Sequence, residues 1–213
     1  MSSTGYVALN TAGGENGPSP LRRQLKRETA ALHRRLEKQL GLLDPSLSLQ
    51  RYRRVLQMFY GFYAPVEASL VPLAAAGPPL GFPLRARSEL IEHDLLALGL
   101  SRRDLAEQPR CATLPRLSCR EDLAGCLYVL EGACLGGRVV APVLYRRFGV
   151  AKGSGASFFV GDGEGTPARW GLVLAWLEGL VPAGARSEEI VAAARATFQT
   201  LARWLERQGD SPP

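Results

Sequence analysis

Residues 121–148 read EDLAGCLYVLEGACLGGRVVAPVLYRRF, and the fold turns on how that run is read. It has the continuous apolar character of a long helix, yet Gly132, Gly136 and Gly137 lie inside it. Each costs a helix about 1 kcal/mol relative to alanine. Gly125, Val129, Gly132, Gly136 and Val140 fall on one stripe, at i, i+4, i+7, i+11 and i+15. Small residues on one stripe let a flat body lie against bare backbone. They equally allow a second helix to pack closely. The adjacent pair Gly136–Gly137 also permits a kink.

The segments on either side repeat the helical pattern. Residues 19–41 open with Ser19 and a proline at the first helical position, carry Leu21, Leu25, Leu32 and Leu36 at helical spacing, and stop at Gly41. Residues 47–77 form a second long helix with Tyr52, Val55, Leu56, Phe59, Tyr60 and Tyr63 on its inner side and a bend at Pro65. Shorter helices are expected over 88–100 and 165–180, and a last one over 185–209. Strand alternation is absent apart from ASFFV at 156–160, which reads as loop. The expected class is all-α: an irregular helical bundle in a single domain over 21–208. Residues 1–20, rich in Gly, Ser, Thr and Pro, read as a disordered leader, and 209–213 as a flexible tail.

With 213 residues and 46% apolar composition, the chain can build one ordinary core. Its formal charge is +6, mostly arginine spread along helical stretches. That reads as solvated helix faces, or as a basic surface that attracts an acidic partner. No nucleic-acid-binding motif accompanies the charge. The cysteines, Cys111, Cys119, Cys126 and Cys134, form no C-x-x-C pair, and no signal peptide precedes them. Reduced thiols in a cytoplasmic protein are the expectation. No stretch reads as a membrane span.

On the first helix His33 lies beside the apolar stripe, with Glu37 one turn on and Lys26 two turns back. A carboxylate at i+4 can orient a metal-ligating imidazole, and a cation on the same line can meet an anionic ligand edge. The plain alternative is an ordinary surface pair. A kinked helix that exposes backbone opposite a histidine describes a slot for a planar cofactor.

These segments resemble the haem oxygenase family. LKRETAALHRRLE (25–37) resembles its proximal helix and YVLEGACLGGRVV (128–140) its glycine-rich distal helix. YGFYAPVE (60–67), IEHDL (91–95), the late loop and helix at 156–180, and AARATF (193–198) resemble the remaining parts, in the family's order. The L-E-G-x-x-L-G-G form is most similar to the bacterial biliverdin-producing branch, which includes enzymes found with bacteriophytochromes.

The resemblance implies haem as both cofactor and substrate, held between the two helices, with His33 as axial iron ligand and Glu37 behind it. Gly132, Gly136 and Gly137 would form the distal, catalytic wall, with Tyr128 and Val129 in the same neighbourhood and Lys26 at a propionate. It implies cleavage by O2 and reducing electrons to biliverdin, carbon monoxide and iron. An acidic donor such as ferredoxin or flavodoxin would supply the electrons, and a bacteriophytochrome would accept the product.

Three positions depart from the family's patterns, the first from that of many animal-type relatives. Ala133 stands where those relatives carry an aspartate, and Gly171 and Ala175 stand where basic propionate partners often sit, with Arg169 nearby but offset. Three other functions fit parts of the sequence: a haem binder or sensor without turnover, a di-iron oxidase using Glu37, Glu67, Glu89, His93 and Asp94, and a helical interaction module.

Overall fold

The computed structural model describes residues 17–77 and 79–209. The expected leader lies outside these residues up to position 16, and its last two residues, Ser19 and Pro20, already start a helix. Of the tail, only Gly209 is described, as the last residue of the final helix.

The element order is α1 (Pro20–Leu40), α2 (Leu49–Ala76), α3 (Arg87–Ala97), α4 (Arg102–Ala106), α5 (Arg120–Phe148), α6 (Ser157–Val160), a 3-10 turn (Gly163–Gly165), α7 (Thr166–Leu180) and α8 (Ser187–Gly209). There is no strand among the described residues, so the class is all-α as expected. The helix ends follow from local chemistry. The Ser19 hydroxyl accepts the Arg22 amide at the start of α1, and Gly41 closes it at φ 61°. Ser48 caps α2 in the same way. α2 runs on through Pro65 and Pro72, and its expected inner residues are all buried, from Tyr52 and Leu56 at 0% exposure to Tyr60 at 8%.

α5 is the central helix. It packs along α8 and also against α6, α7 and α2. Contrary to the expectation of no span, it is long and apolar enough to cross a membrane, but it packs against four other helices as the core helix of the bundle. At Gly125 a side chain would stand 2.5 Å from the Ala194 amide nitrogen and the Ile190 carbonyl oxygen, so only glycine permits this approach to α8. α1 lies on α8 as well and makes little direct contact with α5. The two helices that matter most for the site therefore share one neighbour.

Two short helices correct the sequence reading. α4 is held by a reciprocal cap between Ser101 and Asp104. α6 occupies the stretch read as loop: the Asp94 carboxylate accepts the Ser157 and Phe158 amides at 2.7 and 2.8 Å. Phe158 and Phe159 are buried beside Phe59, and Phe158 also meets Tyr63 edge-on. A helix of one turn has no periodicity to read, and its cap lies 63 residues upstream.

Candidate functional site

On α1 the buried face is Leu21, Leu25, Thr29 and Leu36. His33 lies at the edge of that face and is exposed. Its ring meets Phe198 of α8 edge-on, with centroids 6.0 Å apart at 76°. Its Nδ1 is 3.5 Å from Glu37 Oε2, a close polar contact at the i+4 spacing. With Nδ1 facing Glu37, Nε2 is the ring nitrogen left to meet a ligand. Lys26 is exposed on the same line and Ala30 is half-buried between them.

The glycines of α5 divide into two groups. Gly136 is exposed and has open space where a side chain would stand. Gly132 is half-buried, and the first atom a side chain would meet is the far edge of the Trp170 indole, at 3.4 Å. Trp170 also packs against Tyr128, with ring centroids 5.5 Å apart. Val129 and Val140 are buried at 5% and 8%. Gly137 behaves differently: its open side abuts the Phe159 carbonyl, so glycine is needed there for the approach of α6. Gly125, also on the stripe, is taken up by α8. The part of the stripe left open to a flat ligand is thus Gly132 and Gly136.

α1 and α5 both pack on α8. His33 touches Phe198, and Gly125 touches Ala194 one turn earlier. A planar ligand on Gly132 and Gly136 would meet bare backbone on one face, with an imidazole available from α1. A cradle that side chains would fill, together with an imidazole donor, fits a metal-centred macrocycle.

Behind α5 lies a buried ionic cluster. Glu131, 5% exposed, accepts Arg169 Nε and Nη2 at 3.0 and 2.5 Å and Arg87 Nη2 at 2.8 Å. Burial pushes its carboxyl up, and the hydrogen bonds and charges of Arg169 and Arg87 outweigh that, leaving it below the ordinary value. Arg169 also donates to the Pro83 carbonyl at 3.0 Å. It is therefore committed to the interior, not offset toward a ligand edge. Ala175 is exposed and Gly171 half-buried, so α7 offers no cation at either position. Cys134 is buried and its thiol is pushed up to about 11, chiefly by that burial.

The residues considered for a di-iron centre do not converge. Glu67 accepts the Arg87 and Ser88 amides and the Ser88 hydroxyl. Asp94 caps α6. Glu89 and His93 are exposed on the outside of α3, and Glu37 is on α1 beside His33. Among the described residues no group of three or more His, Cys, Asp and Glu side chains could hold a metal ion.

Trp170, Arg87 and the role of Glu131 were not legible in the sequence. An acid inside an apolar helix demands buried partners, and that was the available signal. Which two of the many arginines answer it depends on the packing of α3 and α7.

The sequence pattern of the family described as heme oxygenase matches residues 19–207. A protein named heme oxygenase from Xanthomonas campestris pv. campestris (strain 8004) is 31% identical over 159 residues, covering 74% of this chain and 88% of the relative.

Proposed function

This chain belongs to the haem oxygenase family and is an enzyme that degrades haem; on that premise we propose that haem lies between α1 and α5, on Gly132 and Gly136, with His33 ligating its iron through Nε2. Glu37 faces Nδ1 and so fixes the ring's tautomer and orientation. Lys26 meets a propionate. With Arg169 bound to Glu131 and no cation at Gly171 or Ala175, α7 gives the propionates no partner at those positions.

Bound haem supplies both the iron that takes up O2 and the ring that is opened. The protein supplies geometry. Gly132 and Gly136 present backbone where a side chain would crowd the iron-bound face. Ala133 brings no carboxyl to that face, so protons arrive through water held by backbone groups of α5. The products of this reading are biliverdin, carbon monoxide and iron, as in the bacterial branch whose L-E-G-x-x-L-G-G form this helix shares. An acidic reductant such as ferredoxin or flavodoxin suits a chain of charge +6. A cytoplasmic location with a bacteriophytochrome as acceptor completes the proposal, and four free cysteines agree with a reducing compartment.

One observation carries this reading: α5 leaves bare backbone at Gly132 and Gly136, and it packs along α8, the same helix whose Phe198 meets His33 of α1. The test is a haem titration of the purified protein followed by reduction in air. A Soret band that forms and then gives way to biliverdin absorbance is the expected result. A Soret band that persists under efficient reduction overturns it.

A further inference from the structure

Glu131 and Gly132 are adjacent on α5, and Arg169 and Trp170 are adjacent on α7. The pairs meet side by side. The Glu131 carboxylate takes two nitrogens of Arg169, at 3.0 and 2.5 Å, while the open side of Gly132 faces the Trp170 indole at 3.4 Å. Arg87 of α3 donates to the same carboxylate at 2.8 Å, so a third helix keeps it from swinging. A two-toothed guanidinium–carboxylate contact fixes angle as well as distance. All three charged side chains are at most 8% exposed. Buried ion pairs of this kind are often no more stabilising than apolar side chains of the same volume. Stability alone therefore does not account for an acid next to the first open glycine.

What the cluster does fix is the position of α7 along α5. The indole, 9% exposed and braced on Tyr128, is the side chain that faces Gly132. A small shift of α7 would carry it farther over the glycine or off it. We propose that Glu131 is a positioning residue of the haem site: by holding Arg169 it sets how far Trp170 reaches over Gly132, and so the clearance left for haem on that side. This rests on the placement of haem against Gly132 and Gly136.

The test uses the full chain without haem first. The emission of Trp170 is isolated by subtracting the spectrum of a Trp170→Phe variant, because Trp176 and Trp204 also emit. In Glu131→Gln the Trp170 component is expected to move to longer wavelength and to become more open to acrylamide. Arg169→Lys, which keeps the charge but loses the fork, is expected to do the same to a smaller extent. In the haem titration both variants are expected to bind more weakly, by about tenfold for Glu131→Gln, with a shifted ferric Soret band. A lower melting temperature with unchanged Trp170 emission would mark Glu131 as structural only and overturn the proposal. Moved emission with unchanged haem affinity and Soret band would overturn it too. If Glu131→Gln does not fold, Arg169→Lys alone decides, on the same readouts. The haem placement fails separately, if Gly136→Leu binds haem as the unsubstituted protein does; the emission result is independent of that.

Discussion

An exposed His–Glu pair one helical turn apart adds only about 0.2–0.5 kcal/mol to a helix. The contact between His33 and Glu37, at 3.5 Å with both side chains about half exposed, therefore does little for the fold. Toward a bound metal the same contact matters more, because partners behind a ligand typically change metal affinity or activity 10–100-fold. Glu37→Gln is accordingly expected to leave chemical unfolding of the haem-free protein within about 0.5 kcal/mol while weakening haem binding clearly. Equal, small effects on both would remove Glu37 from the site. His33→Ala is expected to abolish axial ligation and turnover, and added imidazole should partly restore the haem spectrum. Unchanged turnover would exclude His33 as the ligand. The pair could be read from the sequence because its spacing is local. Trp170 could not: an apolar helix gives no sign that one of its tryptophans faces a glycine on another helix.

The α5 helix shows why a glycine is informative only with its neighbours. On a helical wheel Gly125, Gly132 and Gly136 are alike. In the fold, Gly125 admits the α8 backbone, Gly137 admits the Phe159 carbonyl, and Gly136 faces open space. Gly136 should respond to alanine in the opposite sense from Gly125 and Gly137. Gly136→Ala removes a poor helix former from a roomy site and is expected to stabilise the haem-free protein by about 0.5–1 kcal/mol. Gly125→Ala and Gly137→Ala force a methyl into backbone and are expected to cost about 1–3 kcal/mol. Urea unfolding of the haem-free proteins measures all three, and a Gly136→Ala loss as large as that of Gly137→Ala would contradict this division. Gly136→Leu should likewise fold but form little biliverdin. The stripe itself was visible in the spacing of residues. Its division was not, because α6 is four residues long and is held in place by Asp94 from a different part of the chain. The long helices were legible, since Ser19, Gly41 and the inner aromatics of α2 act locally or periodically. α4 and α6, which depend on a reciprocal cap or a distant carboxylate, were not.

At the scale of the whole molecule two electrostatic effects separate cleanly, one at the surface and one inside. The surface carries the excess of arginine. If an acidic protein delivers the electrons, its turnover number at subsaturating donor should fall as salt is raised from a Debye length of about 30 Å at 0.01 M to about 8 Å at 0.15 M. Ascorbate-driven turnover is the control, and an equal salt response from both reductants would count against steering by the basic surface. Of the four buried carboxylates among the described residues, Glu67, Asp94, Glu121 and Glu131, the two raised and the two lowered pull in opposite directions. Burial raises Asp94 and Glu67, and their amide and hydroxyl hydrogen bonds only partly offset it. The folded chain thus holds these protons to higher pH than the unfolded chain. Their effect on stability is a loss as pH rises from the ordinary carboxylate value through the raised folded values, and a gain on acidification through the same window. Glu131 is the reverse: its folded value is lowered, so its contribution is present above the unfolded value of about 4.3 and is lost as pH falls through the lowered one. Acidifying the haem-free protein from neutrality should therefore first raise the melting temperature and then, below the ordinary carboxylate range, lower it steeply as Glu131 takes up a proton between two buried arginines. Asp94→Asn should flatten the first limb and leave the second. A melting temperature that falls steadily from neutrality, or a maximum unmoved by Asp94→Asn, would show that these buried carboxylates do not govern the acid response.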